Sequence, residues 1–539
     1  MKKKLILLLF MVVPMLTFAQ EKGLDQKIDA AFKPVSDFFS NLIFFTVPIA
    51  GIDVPFVLLL LVGSALFFTI YFKFPNIFHF KTAINVVRGK YDELDRHEAG
   101  DPALAIGGDI KGTIKDESTE GEVTHFQALA TAVSGTVGNG NIAGVALAIA
   151  LGGPGATFWM VVCGFLGMST KFVECTLGVQ YRDVGEDGTV YGGPMYYISK
   201  GLKERGFKTF GKIVAIIFAI FCIGGSFGGG NAAQSNQATV VLKELMGLES
   251  SGAGFWIGVV MAIVVGVIII GGIKRIASVT EKVVPFMAVL YLLACLYILG
   301  ANFSLIDDAF SLIFREAFNP TAIGVGGVIG VLLVGFKRAA FSNEAGAGSA
   351  SIAHSAVKTK YSASEGLVAL LEPFIDTVVI CTMTALVIII FNFGGDASGA
   401  TIFQYGGDGA GAVLIDGVSY EGAGITSKAF AEYIPYSNVF LTVAVVLFAV
   451  STMISWSYYG LQSWKFLFGR GKAADMAYKL LFLLFVIIGA SASMNSIWAF
   501  SDAMIFAMVF PNMVGLYFLF PVVKKQLKRY TDAIKESHA

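Results

Sequence analysis

Apolar runs of about 20 residues recur along this chain, and each is long enough to cross a lipid bilayer as a helix. Hydrophobic residues make up 55% of the 539 residues and charged residues 14%, well below the roughly 25% that soluble domains carry. The pattern predicts an all-α polytopic membrane protein with about eleven transmembrane helices. The predicted spans are about 54–72, 125–151, 157–181, 213–242, 254–273, 284–299, 320–341, 367–391, 439–459, 477–490 and 502–522.

Lysine and arginine residues predict the orientation, because cytoplasmic loops of membrane proteins are rich in them. Residues 1–19 combine three lysines, an apolar stretch and the sequence Thr17-Phe18-Ala19, which is typical of a secretory signal peptide, with an uncleaved helix as the alternative. We therefore expect the inner membrane of a bacterium, with the N-terminus outside and the C-terminus inside. The predicted segments are a signal peptide 1–19, an outer amphipathic segment 20–53, an extra N-terminal helix 54–72, a cytoplasmic loop 73–124, a first repeat 125–300, a second repeat 301–523 and a cytoplasmic tail 524–539.

The ten spans that follow the first one divide into five plus five. An odd number of spans in the first half forces the second half to run in the opposite direction, which is the logic of inverted-repeat transporters. The seventh span should then mirror the second. Its run 322–335 is rich in glycine, which fits a second broken helix and, equally, close helix packing.

The second span contains an unusual polar stretch at mid-depth, Gly135–Gly144, which includes Thr136, Asn139 and Asn141. Polar groups and glycine-loosened backbone are costly in hydrocarbon, so they persist where they are buried in protein or line a cavity. Transporters use such interrupted helices to bind substrates and ions. The alternative is the packing of small residues between helices, and the cluster favours a binding site.

Other polar residues also occur within the predicted spans. Gln234 and Asn231 are three residues apart, so a helix would place them on one face, where we expect Gln234 to contact substrate rather than another helix. Charges inside a membrane usually pair or serve ion pathways. For this reason, we expect gating or structural roles for Lys171, Glu174, Glu372 and Asp376, and for three residues expected near the inner mouth of the seventh span, Arg338, Asn343 and Glu344. A proton-coupling carboxylate is the alternative.

The ninth span carries two adjacent hydroxyl residues, Ser451 and Thr452, at mid-depth. Taken alone, the simplest interpretation is that both hydroxyls bond to their own helix. The alternative is that the two hydroxyl oxygens are ligands of a sodium site. Trp456 lies one turn beyond Thr452 on the same helix face. This position fits a residue in the wall of a pocket and, equally, a residue in the core.

Several motifs together resemble the alanine/glycine:cation symporter family, which belongs with the leucine-transporter fold. They cover most of the chain from residue 125 onward, and their order and spacing carry the resemblance. The motifs are GTVGNGNIAGVA (135–146), GGPGATFWM (152–160), GGPMYYI (192–198), NAAQSNQ (231–237), FSNEAGAGSA (341–350), EPFIDT (372–377) and STMISWSYYG (451–460).

The resemblance implies roles for particular residues. Backbone carbonyls near Ser134 and Val137, together with the hydroxyls of Ser451 and Thr452, would bind a sodium ion. The amide of Gly140 would face the substrate carboxylate, with Thr136 and Asn141 close by. Trp456 would lie against the substrate side chain, where a large indole fits alanine or glycine and excludes leucine.

These observations predict sodium-coupled symport of alanine, glycine or both, by alternating access, with sodium as the co-transported ion and no cofactor. The lipid bilayer is an expected partner and nucleic acid is not, because no clustered basic–aromatic patch is present. The alternatives are a proton-coupled transporter of the same fold and, less favoured, an ion channel. An enzyme is not expected, since no convincing nucleophile–base pair is found in the sequence.

Overall fold

The computed structural model describes residues 24–49, 51–95, 121–185, 188–248, 250, 252–320, 327–395, 401–406, 409 and 411–537. The expected signal peptide lies outside these residues. Helices dominate the described part. They are α1 Leu24–Ile43, α2 Phe56–Tyr71, α3 Pro75–Phe78, α4 Phe80–Val87, α5 Asp92–Asp95, α6 His125–Thr136, α7 Val145–Gly152, α8 Gly155–Gln180, α9 Pro194–Glu204, α10 Lys208–Phe227, α11 Ala233–Met246, α12 Ala253–Ile269, α13 Gly272–Ala301, α14 Ile306–Phe318, α15 Gly327–Asn343, α16 Ser351–His354, α17 Ser362–Val368, α18 Leu371–Pro373, α19 Thr382–Asn392, α20 Ala423–Tyr433, α21 Ser437–Phe468, α22 Lys472–Ser491 and α23 Met494–Glu536.

Shorter elements interrupt or join these helices. Among the residues that the structure describes, three antiparallel hairpins lie in the loops, and π-helical turns occur inside three of the long helical runs. The strands are β1 Thr46–Ile49, β2 Ile52–Pro55, β3 Asp183–Val184, β4 Val190–Tyr191, β5 Ala412–Ile415 and β6 Val418–Glu421, paired in that order. The π segments are Gly140–Gly144, Gly228–Ala232 and Phe374–Cys381, and a 3₁₀ turn covers Phe303–Leu305.

The all-α membrane architecture is confirmed. Within the described residues, seven helical runs are long and apolar enough to cross a membrane, and the pair α6–α7, bent by 50°, makes an eighth. Helices α2, α12 and α15, of 16 or 17 residues, stand where the first, fifth and seventh spans are predicted. After α2, the order of the described helices is compatible with the predicted two sets of five spans, and the exact number of spans stays a prediction.

The first interruption, Val137–Gly144, is called the first break below, and its local sequence explains it. Helix α6 starts at a capping box, in which Thr124 and Gln127 satisfy each other's backbone amides. The regular hydrogen bonds stop where the Val137 amide donates to the Val133 carbonyl. Instead of continuing the helix, the Gly138 amide donates to the side chain of Asn141 at 2.8 Å. The asparagine thus replaces a helical carbonyl as the acceptor.

The second interruption, Glu344–Ala350, is called the second break, and it lies later in the chain than the glycine run 322–335. Helix α15 is continuous up to Asn343. Its Gly335 packs against α8, because a Cβ on Gly335 would come within 2.5 Å of the Ala156 carbonyl oxygen. Gly335 therefore serves close packing, whereas a Cβ on Gly327 would meet nothing within 4 Å, and residues 321–326 lie outside the described residues. The real break has Glu344 at φ +56° and Gly346 at φ +96°, left-handed values that a continuous helix cannot hold.

Several helices extend past the predicted ends of their spans. Helix α13 begins at Gly272 rather than near Val284, and α23 continues from the membrane region to Glu536. Both extensions contain lysine and arginine. Hydropathy assigns these residues to loops, although both are good helix formers. Hydropathy therefore located the apolar part of each helix and missed its polar ends.

The π segment Gly228–Ala232 brings the fourth span close to the two breaks. Helix α22 packs directly on it through Gly489, where a Cβ would come within 2.4 Å of the Ala232 backbone. Because backbone cannot move aside as a flexible side chain can, this contact holds the segment in place.

We predict that Gly489→Ala displaces this π segment. The added methyl group overpacks a backbone contact, which costs about 1–3 kcal/mol, so the melting temperature of the purified protein should fall. Gly300→Ala, on α13 with open space around its Cα, is the matched control and should leave the melting temperature unchanged. Equal melting temperatures for both variants would show that the contact at Gly489 is loose.

Candidate substrate and ion site

The first break and helix α21 bring the expected sodium ligands together. The Thr452 hydroxyl donates to the Ser134 carbonyl at 3.0 Å, and the Ser134 hydroxyl donates to the Ser451 carbonyl at 2.7 Å. The Ser451 hydroxyl donates back to Phe448 of its own helix. Val137 is fully buried at the end of α6. Ser134 and Thr452 therefore meet across the first break, while the Ser451 side chain also makes the own-helix bond that was the simpler expectation.

A cavity of about 10 Å³ lies beside this group of oxygens, the room that about one water molecule needs. Its wall comes from both breaks and from α21, and four of the five expected substrate residues belong to it. The lining residues are Gly135, Thr136, Gly140, Gly229, Gln234, Phe341, Ser342, Glu344, Trp456 and Ile505. Thr136 directs its hydroxyl to the carbonyls of its own helix, Ala132 and Val133.

Gln234 links the first break to the fourth span. Its side-chain oxygen accepts the Asn139 amide at 3.0 Å, and its side-chain nitrogen donates to the Gly229 carbonyl at 2.9 Å. Asn231 points elsewhere and donates to the Phe482 carbonyl of α22. The expectation that Asn231 and Gln234 share a face is wrong in this respect, because the π segment between α10 and α11 changes the helical spacing.

Trp456 forms one wall of the cavity and is tightly held. Its indole nitrogen donates to the Glu344 carboxylate at 2.8 Å. Its ring lies against the glycine turn of the fourth span, where a Cβ on Gly230 would come within 2.1 Å of the indole. The glycine turn therefore makes room for the indole, and Glu344 fixes its orientation.

Asn141 is buried but directed away from the cavity. Its side-chain nitrogen donates to an Asp376 carboxylate oxygen at 2.7 Å, and its oxygen accepts the Gly138 amide. The expected position beside a substrate carboxylate therefore does not match the structure. The physical reason is that the freed Gly138 amide needs an acceptor, and Asn141 supplies it.

The expected charges of the third and eighth spans form part of a buried network. Lys171 donates to Glu372 at 3.0 Å, and both side chains are fully buried. His354, in the short helix after the second break, lies 3.6 Å from Glu372 and also bonds Glu365. Glu365 in turn bonds His125 at the start of α6. One network therefore connects the two interrupted helices through α8 and α17.

Two further expected residues lie beside this network. Glu174 accepts a hydrogen bond from Asn512 of α23 at 2.7 Å rather than pairing with Lys171. Asn343 ends α15, accepts the Ala345 amide and donates to the Thr377 hydroxyl at 2.9 Å. Both residues thus connect the second break to neighbouring helices.

Arg338 does not lie at the inner mouth of the seventh span. It pairs with Asp502 of α23 and covers the stacked rings of Phe341 and Trp498. The neighbouring Lys337 also pairs with Asp502 and lies 4.5 Å from the Phe44 ring, just beyond α1. The Arg338–Asp502 pair therefore lies on the same side as α1, which belongs to the segment expected outside. The physical reason is that α15 continues beyond Arg338 to Asn343 before it breaks, which the apolar pattern does not indicate.

Sequence reasoning missed several residues of the site. Glu344 was expected near the inner mouth but lines the cavity, and Ser342 and Phe341 were not singled out. Sequence reasoning also missed His125, His354 and Glu365. Their signal in the sequence is that ionisable residues beside apolar helices usually pair with one another.

Comparisons with known proteins identify the family of this chain. The chain matches the model of the sodium:alanine symporter family over residues 42–539. It is 38% identical to the sodium/alanine symporter AgcS of Methanococcus maripaludis over 89% of this chain and 95% of the relative. It is 32% identical to the sodium/proton-dependent alanine carrier protein of Bacillus sp. strain PS3, over 78% of this chain and 91% of the relative.

A solved structure also aligns with the chain. The crystal structure of MhsT in complex with L-phenylalanine matches with a TM-score of 0.49 at 15% identity, over 77% of this chain and 99% of that one. The family match and the relatives, which span nearly the whole chain, decide the classification: this chain is a transporter and belongs to the sodium:alanine symporter family.

Proposed function

We propose that this protein couples the entry of sodium to the entry of alanine or glycine by alternating access. The observation that carries the proposal is the contact between the Thr452 hydroxyl and the Ser134 carbonyl, directly beside a small cavity lined by both breaks. An ion held between α6 and α21 would join two elements that must move relative to each other.

Sodium fits this place because small hard cations bind several oxygen ligands. The freed Ser134 carbonyl and the Thr452 hydroxyl are neutral oxygens within the protein. Gly138 lies against the Thr452 hydroxyl, and a Cβ on Gly138 would come within 2.4 Å of that oxygen. The backbone of the first break therefore approaches α21 as closely as it can. The names of the two curated relatives, which both mention sodium and alanine, agree with this assignment.

The residues around the cavity favour a small zwitterion, for which the present room of about one water molecule would have to widen. The Glu344 carboxylate is positioned to accept hydrogen bonds from an ammonium group, while Gly140 in the first break offers backbone close to where a carboxylate would lie. The indole of Trp456 leaves little space for a side chain. These features together suit alanine and glycine better than larger amino acids.

The energetics permit accumulation. One positive charge that crosses 100 mV contributes about 2.3 kcal/mol, and a tenfold sodium gradient adds about 1.4 kcal/mol. One sodium ion per zwitterion therefore supports a concentration ratio of roughly several hundredfold.

The basic loops support insertion in the cytoplasmic membrane with the C-terminus inside. In that orientation, the Arg338–Asp502 pair closes the outer side of the cavity and the Lys171–Glu372 network closes the inner side. Opening one closure at a time would give alternating access.

The first test is uptake of radiolabelled alanine into proteoliposomes, with inward gradients of sodium, potassium or protons imposed separately. We expect saturable uptake with the sodium gradient and none with potassium. Current without amino acid would indicate a channel instead, and uptake driven by protons alone would replace sodium by the proton-coupled alternative.

We predict that Thr452→Ala with Ser451→Ala weakens sodium dependence. Loss of a ligand oxygen should raise the sodium concentration for half-maximal uptake by about tenfold, which corresponds to about 1.4 kcal/mol. Thr442→Ala, on the same helix with a weak 3.5 Å bond to Val241, is the matched control. An unchanged sodium requirement in the double variant would remove both residues from the ion site.

We also predict that Trp456→Ala widens substrate selection. Removal of the indole leaves space beside the glycine turn, so leucine should begin to compete with alanine for uptake. Trp256→Ala, on the exposed face of α12, is the control and should keep the original selectivity. If the Trp456 variant still rejects leucine, the indole does not limit the size of the substrate.

A further inference from the structure

A wide groove lies between α23 and the turn that follows α2, and it is called the basic groove below. Its volume is about 1140 Å³, above the roughly 300–1,000 Å³ that pockets for small ligands usually have. One wall is the face of α23 from Pro521 to Lys535, and the other includes Phe78 and His79. The basic groove shares no lining residue with the cavity of the proposed transport site, and no step of the proposed cycle uses it.

Positive charge dominates the lining of the basic groove. Lys524, Lys528 and Lys535 are spaced by four and seven residues, which places them on one face of α23. The one carboxylate among the described lining residues, Asp532, pairs with Lys535 at 3.7 Å. The five lysines of the lining are Lys73, Lys524, Lys525, Lys528 and Lys535. With five positive charges and one negative, and His79 counted as neutral, the groove is suited to an anion.

Packing holds both walls of the basic groove in place. The Tyr71 ring, at the end of α2, packs edge-on against Phe520 of α23 with ring centres 4.7 Å apart, and Lys524 lies 5.0 Å from the Tyr71 ring. In the opposite wall, the Asn76 side chain donates to the Phe165 carbonyl of α8 at 2.9 Å. These contacts are internal to the protein, so the groove does not need an occupant in order to form.

The turn between α2 and α3 places Lys73 in the wall of the groove and Phe74 at the surface. Both residues have left-handed backbone, with φ of +58° and +57°, which is costly for residues that carry a Cβ. The Phe74 amide donates to the Thr69 carbonyl of α2 at 2.7 Å and holds the turn. The protein therefore keeps a strained turn that presents a positive and an apolar side chain side by side.

Exposed apolar side chains adjoin the basic groove. Phe74, Ile77 and Phe78 are 41%, 54% and 72% exposed. One turn before Tyr71 and Pro521, the rings of Phe67 on α2 and Tyr517 on α23 lie 5.6 Å apart, and both are partly exposed. An apolar seam between α2 and α23 therefore continues from the groove into the predicted membrane span.

We propose that the basic groove binds an anionic phospholipid of the inner leaflet. Its phosphate lies near Lys524 and Lys528, and its acyl chains follow the seam at Phe67 and Tyr517. Lysines at the inner surface of a membrane attract anionic lipids, and basic pockets between membrane helices bind their headgroups. A soluble anion would use the lysines and leave the apolar seam uncovered, whereas a lipid uses both. The proposal does not depend on which ion or amino acid is transported.

The test uses the full-length protein in a neutral detergent and measures the binding of added lipid by native mass spectrometry. Phosphatidylglycerol, phosphatidylcholine and soluble glycerol 1-phosphate are titrated separately. We expect phosphatidylglycerol to bind at least tenfold more tightly than the other two. It should also raise the melting temperature, because a ligand that binds only the folded protein stabilises it.

Two variants test the two halves of the site. Lys524→Gln with Lys528→Gln should raise the dissociation constant of phosphatidylglycerol at least tenfold, since two of the attracting charges are lost. Phe78→Gln, which keeps every charge, should also weaken phosphatidylglycerol binding. The matched control is Lys208→Gln with Lys212→Gln, a pair of exposed lysines with the same spacing at the start of α10 and outside the groove. The control should bind phosphatidylglycerol as the wild type does.

Four results would overturn the proposal. Equal affinity for phosphatidylglycerol and phosphatidylcholine would show that the negative charge is not recognised. An equal loss of affinity in the two lysine pairs would show that only the overall charge of the inner surface matters. Glycerol 1-phosphate bound as tightly as the lipid would assign the groove to a soluble phosphate compound. Unchanged lipid binding in both groove variants would place any bound lipid elsewhere on the protein.

Discussion

The structure depends on how the backbone groups freed at the first break are satisfied. In a membrane interior, an unpaired amide or carbonyl costs several kcal/mol, so an interrupted helix exists only if other groups replace its missing bonds. Here the Gly138 amide bonds Asn141, the Asn139 amide bonds Gln234, and the Ser134 carbonyl accepts from Thr452. Each replacement comes from a different helix or from the break itself. The break is therefore stable only when these elements are assembled around it, which is also where the cavity forms.

The same requirement explains the arrangement of charges. Lys171 and Glu372 are fully buried, and a buried charge that loses its partner is destabilised by about 3–5 kcal/mol. The network that continues through His354, Glu365 and His125 links the helices that the two breaks interrupt. In the proposed transport cycle water must replace each lost partner of this network, so the inner side would open only as it becomes hydrated. The Arg338–Asp502 pair sets the same condition on the opposite side.

The fold was largely predictable from the sequence, because apolar length and basic loops depend on local composition. Polar helix ends were missed for the same reason, as in the extension of α23 to Glu536. The motifs located the backbone of Ser134 and Gly140 and the hydroxyl of Thr452 beside the first break, and the roles of these residues as ligands stay predictions. The site was not predictable where the direction of a side chain decides, since Asn141 turns from the cavity to Asp376. For the glycine run 322–335, the sequence left close packing and unwinding equally open because glycine allows both, and only the neighbouring helix α8 distinguishes them at Gly335.

The small size of the cavity links selectivity to closure. Trp456 is held by Glu344 on one side and by the glycine turn of the fourth span on the other. Phe341 lines the same cavity and stacks on Trp498 beneath the Arg338–Asp502 pair. A larger side chain would therefore press on the wall that carries the outer closure, and the outer side could not close over it. In the proposed alternating-access cycle this closure must come before the inner side opens, so a substrate that is too large would be rejected by failing to complete the cycle as well as by weak binding.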